Sequence, residues 1–143
     1  MKKIVIFGSR EIAELAKYYF EKEKQEKIAA FTVDDEYVRE ENFLGQPMVP
    51  FSELSKFFPP NEYSMHVALS YKGLNKLRED KYHQAKKSGY KLESFISQDA
   101  FISNKAPIGD NCFILENQTI QPFVSIGNNV MLWSGNHIGH GTL

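Results

Sequence analysis

Two histidines three residues apart, His137 and His140 in the segment GNHIGH, are the side chains best suited to move protons near neutral pH. An imidazole there could take a proton from an attacking amine or hydroxyl. Taken alone, the pair reads rather as a polar corner with ordinary hydrogen bonds. A second set of candidates lies upstream. Gly8-Ser9-Arg10 stand between an apolar run and a helical pattern, and backbone N–H groups at a helix start can hold a phosphate. Only the first glycine of a G-x-G-x-x-G fingerprint is present, so a plain strand-to-helix turn fits as well. Asp34 and Asp35 close the next β-rich run, placed either to accept hydrogen bonds from a ribose or base N–H or simply to be hydrated. Ser70-Tyr71-Lys72 close a third run, with Asn75 and Arg78 on the first turns of the helix that follows. All three loops belong at the carboxyl edge of a parallel sheet, where open α/β sheets take ligands, and their convergence favours binding. The single cysteine, Cys112, rules out an internal disulfide framework and reads as packing.

The elements that must position these groups are of two kinds. Lys3 to Phe7 is a short β-branched run suited to a buried parallel strand, followed by Gly8-Ser9, with Ser9 as helix N-cap. Ile12, Leu15, Ala16, Tyr19 and Phe20 then recur at helical spacing. A strand over Lys27–Val33, a loop with a short extended piece over Gly45–Pro50, and a short helix opened by Ser52 and stopped by Pro59-Pro60 come next. A strand over Met65–Leu69, an amphipathic helix over Gly73–Ser88 and a last strand over Lys91–Phe95 complete a Rossmann-like α/β domain, residues 1–93.

From residue 94 the pattern changes. Ile96, Ile102, Ile108, Ile114, Ile120, Ile126, Leu132 and Ile138 fall at intervals of six, eight repeats without a slip. Two residues before them stand mostly small or slender side chains: Ser94, Ala100, Ala106, Cys112, Val124 and Val130, with Gln118 and Asn136 as polar exceptions. Turn-forming glycines often come just after, at Gly109, Gly127 and Gly139. Neither a helix nor a simple strand has this period; a hexapeptide β-helix, turning a corner every six residues, does. Three faces make a coil, so equivalent residues recur every 18 positions and the aliphatic side chains form internal ladders. The two domains, 1–93 and 94–143, meet with almost no linker and are expected to dock.

Net charge is −1 with both signs mixed, which gives no electrostatic case for nucleic acid or an anionic membrane. Met-Lys-Lys is followed by only four apolar residues before Gly8, too short for a signal-peptide core, so a cytoplasmic protein is expected.

Together the segments FGSREIAE, FTVDD, LGQPMVPFSEL, ALSYKGLNKLRE and IQPFVSIGNNVMLWSGNHIGHGTL resemble bacterial sugar acetyltransferases of the sialic-acid O-acetyltransferase type. These include the nucleotide-linked amino-sugar N-acetyltransferases. The resemblance covers the whole chain and implies a Rossmann-like domain joined to a left-handed parallel β-helix of hexapeptide repeats. It implies a nucleotide-activated amino sugar held by Gly8-Ser9-Arg10, by Asp34 and Asp35, and by the stretch containing Ser70, Tyr71 and Asn75. It places the general base at His140, five residues before a repeat glycine in the family, with His137 as second candidate and Gly141 where relatives often carry an acid or histidine. Acetyl-CoA is the implied co-substrate, no metal is implied, and the implied assembly is a homotrimer with sites between adjacent prisms. Trp133 and Phe123 are outward or corner positions suited to subunit contact. Relatives continue for several more coils, so a chain stopping at Leu143 is expected to be a truncated, N-terminal portion that keeps nucleotide-sugar binding and loses catalysis. Three other readings stay open: sugar O-acetylation, a non-catalytic nucleotide-sugar-binding module, and a γ-type carbonic anhydrase. The last needs three zinc-binding histidines where the repeats hold two.

Overall fold

The computed structural model describes residues 3–69, 76–103 and 105–139. The chain divides into two compact units, Met1–Glu93 and Ser94–Leu143.

In the first unit the apolar run Lys3–Phe7 forms strand β1, followed by helix α1 (Glu11–Lys24) and strand β2 (Ile28–Val33). Strands β3 (Asn42–Phe43) and β4 (Gln46–Pro50), the short helix α2 (Leu54–Phe57), strand β5 (Tyr63–Val67) and helix α3 (Lys76–Lys87) follow. The sheet order is β3-β4-β2-β1-β5, with β4, β2, β1 and β5 parallel and β3 antiparallel to β4. The chain therefore builds outward from β1 on one side and returns to β5 on its other side. Such a reversal opens a crevice at the carboxyl ends of the strands.

The strands are apolar at nearly every position because both faces of the sheet are covered. Val5, Phe7, Ala30, Met65 and Val67 form one core with Leu54 of α2 and Tyr82 and Ala85 of α3. Ile4, Ile6 and Phe31 alternate with them and are equally buried. On β5, His66 is 1% exposed, and its ring meets the edge of Phe20 from α1 at 5.1 Å between centroids. Its Nδ1 lies 2.8 Å from the Glu93 carbonyl oxygen. A carbonyl only accepts, so Nδ1 carries the proton and donates.

Burial lowers the His66 pKa from 6.5 to about 4, and the nearby Arg78 charge acts in the same direction. The unfolded chain therefore takes up a proton that the folded chain refuses. Stability is full above pH 6.5 and falls by about 3 kcal/mol as pH drops from 6.5 to about 4. Urea unfolding of wild type and His66→Gln at a series of pH values checks this. The wild-type stability should fall faster than that of the variant across the window; parallel curves would remove His66 as the cause.

Three details of this unit differ from the sequence expectation. The residue capping α1 is Arg10, in extended conformation and with no side-chain cap bond, so Ser9 is not the N-cap. The expected strand over Lys91–Phe95 is reduced to a single bridge from Leu92 to Met65, flanked by Met65 N–H to Lys91 O at 2.9 Å and Glu93 N–H to Met65 O at 2.7 Å. Phe95 belongs instead to the next unit. The stretch near Gly45 holds a hairpin, β3 to β4, with Leu44 at φ 51° and Gly45 at φ 80° supplying the turn.

The second unit consists of two-residue strands stacked in parallel. Strands β6 (Phe95–Ile96), β8 (Phe113–Ile114) and β10 (Met131–Leu132) form one three-stranded sheet. Strands β7 (Phe101–Ile102), β9 (Thr119–Ile120) and β11 (His137–Ile138) form another, and an Ile108–Ile126 bridge marks a third face. Paired residues are 18 apart on all three faces, as in Phe95, Phe113 and Met131. Ile114, Ile120 and Ile126 join Ala106, Cys112 and Val124 in one buried core, with the remaining aliphatic repeats packed against it. Cys112 is fully buried there, its thiol donating to the Gly127 carbonyl at 3.2 Å.

The corners are not made by the glycines that follow the aliphatic residues. Left-handed backbone falls instead at Asn111, Asn117, Phe123, Asn129 and Gly135, again six apart. Asparagine tolerates this region better than most residues. Asn111 is fully buried and donates its side-chain amide to Asn129 Oδ1 at 2.7 Å on the coil above. Gly109 is required for a different reason: a Cβ there would lie 2.7 Å from the backbone of Gly127.

Candidate functional site

At the carboxyl edge of the first unit, β1 ends in Phe7 and the chain turns at Gly8. The Gly8 N–H donates to Thr32 O at 2.9 Å, and the Ala68 N–H donates to Phe7 O at 2.9 Å. Gly8 has φ 148°, and a Cβ on it would stand 2.6 Å from Ala68 O and 3.2 Å from the Ala13 Cβ. The close approach of two strand ends therefore accounts for this glycine before any ligand is considered. Ser9 is half-buried and Arg10 exposed. The first turn of α1 carries Glu11 and Glu14, which suit the helix dipole and set negative charge beside the place where an anion would dock.

The two acids after β2 are placed differently. Asp35 is exposed and bound by Ser52: the hydroxyl donates to Oδ2 at 2.5 Å and the backbone N–H donates to Oδ1 at 3.3 Å. These bonds hold its carboxyl below the usual carboxylate range. Asp34 is half-buried, and its Oδ2 is 2.5 Å from the Lys81 ammonium of α3. The edge thus brings Gly8, Ser9, Arg10 and Asp34 onto neighbouring strand ends, while Asp35 is engaged as a clamp on the following loop. Ser70, Tyr71 and Asn75 lie outside the described residues. Arg78, on α3, is 2% exposed.

In the second unit, His137 opens β11 and is exposed. Its neighbours on the same face are Thr119 and Phe101, one and two coils below. All three alternate with the inward isoleucines and stand on the outside of the stack. A histidine here has the solvent access that proton exchange requires. His140 lies outside the described residues. Phe123 is 58% and Trp133 40% exposed, and Phe123 occupies a left-handed corner.

Sequence reasoning passed over Lys81. A signal was present: Arg78, Lys81, Tyr82 and Ala85 share one helical face, and that face is buried. A buried cation calls for a partner, which Asp34 supplies for Lys81. Among the described residues no group of three or more His, Cys, Asp or Glu side chains could share a metal ion, and no helix is long and apolar enough to cross a membrane.

No protein-family model matches the sequence, and no curated protein matches it either. Solved structures do resemble the fold. The acetyltransferase domain of PglB from Neisseria gonorrhoeae FA1090 matches with a TM-score of 0.77 at 18% identity, covering 99% of this chain and 66% of that one. The same domain in complex with acetyl coenzyme A gives 0.78 at 18% identity, over 98% of this chain and 65% of that one. A point mutant of perosamine N-acetyltransferase from Caulobacter crescentus, in complex with CoA and GDP-perosamine, gives 0.80 at 22% identity, over 96% of this chain and 63% of that one. The chain spans slightly less than two thirds of the length of these structures. At such identity the similarity is one of fold.

Proposed function

We propose that this chain belongs to an acetyl-CoA-dependent N-acetyltransferase acting on a nucleotide-linked amino sugar. In this reading the first unit is a Rossmann-like domain that holds the nucleotide. The second is a left-handed hexapeptide β-helix carrying the catalytic base. The observation that carries the proposal is the parallel stack of two-residue strands following a parallel α/β sheet, an arrangement that the PglB acetyltransferase domain and perosamine N-acetyltransferase match over nearly all of this chain. The N-acetyl reading is preferred to sugar O-acetylation because the perosamine enzyme's named activity is N-acetylation.

Each proposed role follows from the chemistry of the side chain. The sugar amine attacks the thioester carbonyl of acetyl-CoA, forming the C–N bond. His140 takes the amine proton as the tetrahedral intermediate forms. A backbone N–H of a neighbouring coil stabilises the oxyanion. Collapse of the intermediate breaks the C–S bond, and the departing CoA thiolate receives the proton from the imidazolium. The enzyme works as a cytoplasmic homotrimer whose adjacent prisms complete each site, with Trp133 and Phe123 at subunit contacts, and it supplies bacterial surface glycan synthesis.

Calorimetry tests the binding half of the proposal. UDP, dTDP and GDP are titrated into the 143-residue chain, then acetyl-CoA in the same buffer. One nucleotide should bind clearly more tightly than the other two. Acetyl-CoA binding would place the donor site within these coils. Nucleotide binding alone would assign this chain the substrate half of the enzyme. Failure of all three nucleotides to bind would overturn the assignment of the first unit.

A further inference from the structure

We propose that Lys81 is a positioning residue of the nucleotide site, holding and neutralising the Asp34 carboxylate so that it can accept a hydrogen bond from a nucleoside without repelling the attached diphosphate. The inference rests on the nucleotide-binding reading of the first unit and adds a residue and a charge arrangement to it.

Lys81 is 9% exposed on the buried face of α3, an unusual place for a flexible, strongly hydrated cation. Its ammonium is 2.5 Å from Asp34 Oδ2, 5.7 Å from the centroid of the Phe7 ring, and 3.4 Å from Gln84 Oε1. One cation thereby ties together the last residue of β1, the first residue after β2, and α3. Those are the elements that surround the crevice at the carboxyl edge of the sheet.

The pairing leaves Asp34 half used. Its side chain is 28% exposed, and the side-chain contact it makes among the described residues is that of Oδ2 with Lys81. Asp35 differs, since Ser52 engages both of its oxygens. Of the two adjacent acids, Asp34 is the one that keeps an oxygen with no donor among the described residues, whereas Asp35 has a donor on each oxygen. Asp34, Asp35 and Glu36 are consecutive, so this strand end is strongly negative by sequence. A nucleoside diphosphate would meet like charge there. Lys81 neutralises the Asp34 carboxylate through Oδ2 and leaves Oδ1 as an acceptor, while its contacts with Phe7 and Gln84 hold the ammonium in place. Removing one partner of such a pair leaves the other partly buried and uncompensated.

Calorimetric titration of the full 143-residue chain tests this, with whichever of UDP, dTDP and GDP the wild type binds best. Lys81→Met should weaken binding by about tenfold or more, the scale of one lost charge-assisted contact. Lys81→Arg, which keeps the cation, should recover most of the affinity. In an Asp34→Asn background, removing Lys81 should cost less than about twofold, because a residue acting through its partner is non-additive with it. Lys81→Gln replaces Lys81→Met in both backgrounds where the latter does not fold. Equal losses in the two backgrounds would show that Lys81 acts elsewhere, and wild-type affinity in Lys81→Met would likewise overturn the proposal. A wild-type chain that binds none of the three nucleotides would instead sink the underlying nucleotide reading, and this inference with it.

Discussion

If His140 is the general base proposed above, His140→Ala in a full-length enzyme containing this chain is expected to slow acetyl transfer about 10²- to 10⁴-fold, the usual contribution of a positioned general base. The loss should appear in the turnover number, with the Michaelis constants for acetyl-CoA and the nucleotide amino sugar nearly unchanged. A proton acceptor acts on the transition state and contributes little to ground-state binding. His137→Ala is the control. His137 stands on the outer face of its coil beside Thr119, and its loss should cost less than about tenfold if it serves only as a neighbour of the site. Steady-state kinetics of both variants decide the assignment. Near-normal turnover in His140→Ala would sink it, and a large loss confined to His137→Ala would move the base three residues upstream.

Replacing Gly8 by alanine is expected to destabilise the protein by about 4 kcal/mol, combining backbone strain with overpacking. Two features of the turn act together. At φ 148° the backbone is in a region that side-chain-bearing residues rarely adopt. The new methyl would also lie 2.6 Å from the Ala68 carbonyl oxygen, a backbone atom held in register because the Ala68 N–H donates to Phe7 O. Neither strand end can retreat without opening the ladder between β1 and β5. Ser9→Ala and Arg10→Ala, two neighbours with no such constraint, should change stability little. Urea unfolding of the three variants separates the possibilities. A Gly8→Ala chain as stable as wild type would mean that the turn relaxes easily, and that glycine stands there for the sake of a ligand.

The same turn illustrates how far each half of the chain can be read from its residues. A first glycine after a β-branched run fits a phosphate loop and an ordinary strand-to-helix turn equally. The neighbour that explains it, Ala68, is 60 residues away in sequence. By sequence Asp34 and Asp35 are equivalent adjacent acids. Ser52 and Lys81, both distant in sequence, give one of them a structural clamp and the other a counter-ion. In the second unit, by contrast, the aliphatic positions from Ile96 to Ile138 were legible together with their small partners, and they pack as one core. What escaped there was the corner. The glycines after the aliphatic residues suggest turns, but left-handed backbone falls at Asn111, Asn117, Phe123, Asn129 and Gly135.

The physical distinction is the range over which the determining interactions act. Periodicity is local and repeated, so the 18-residue coil, its inward ladders, the apolar strands of the sheet and the amphipathic helix faces follow from the order of residues alone. Side chains at those places have one way to leave water. Charge pairing and close backbone approach depend on groups brought together only when the chain has folded. Tertiary structure alone decided that Lys81 meets Asp34, that Ser52 engages Asp35, that His66 is buried against Phe20, and that Gly8 passes under the Ala68 carbonyl.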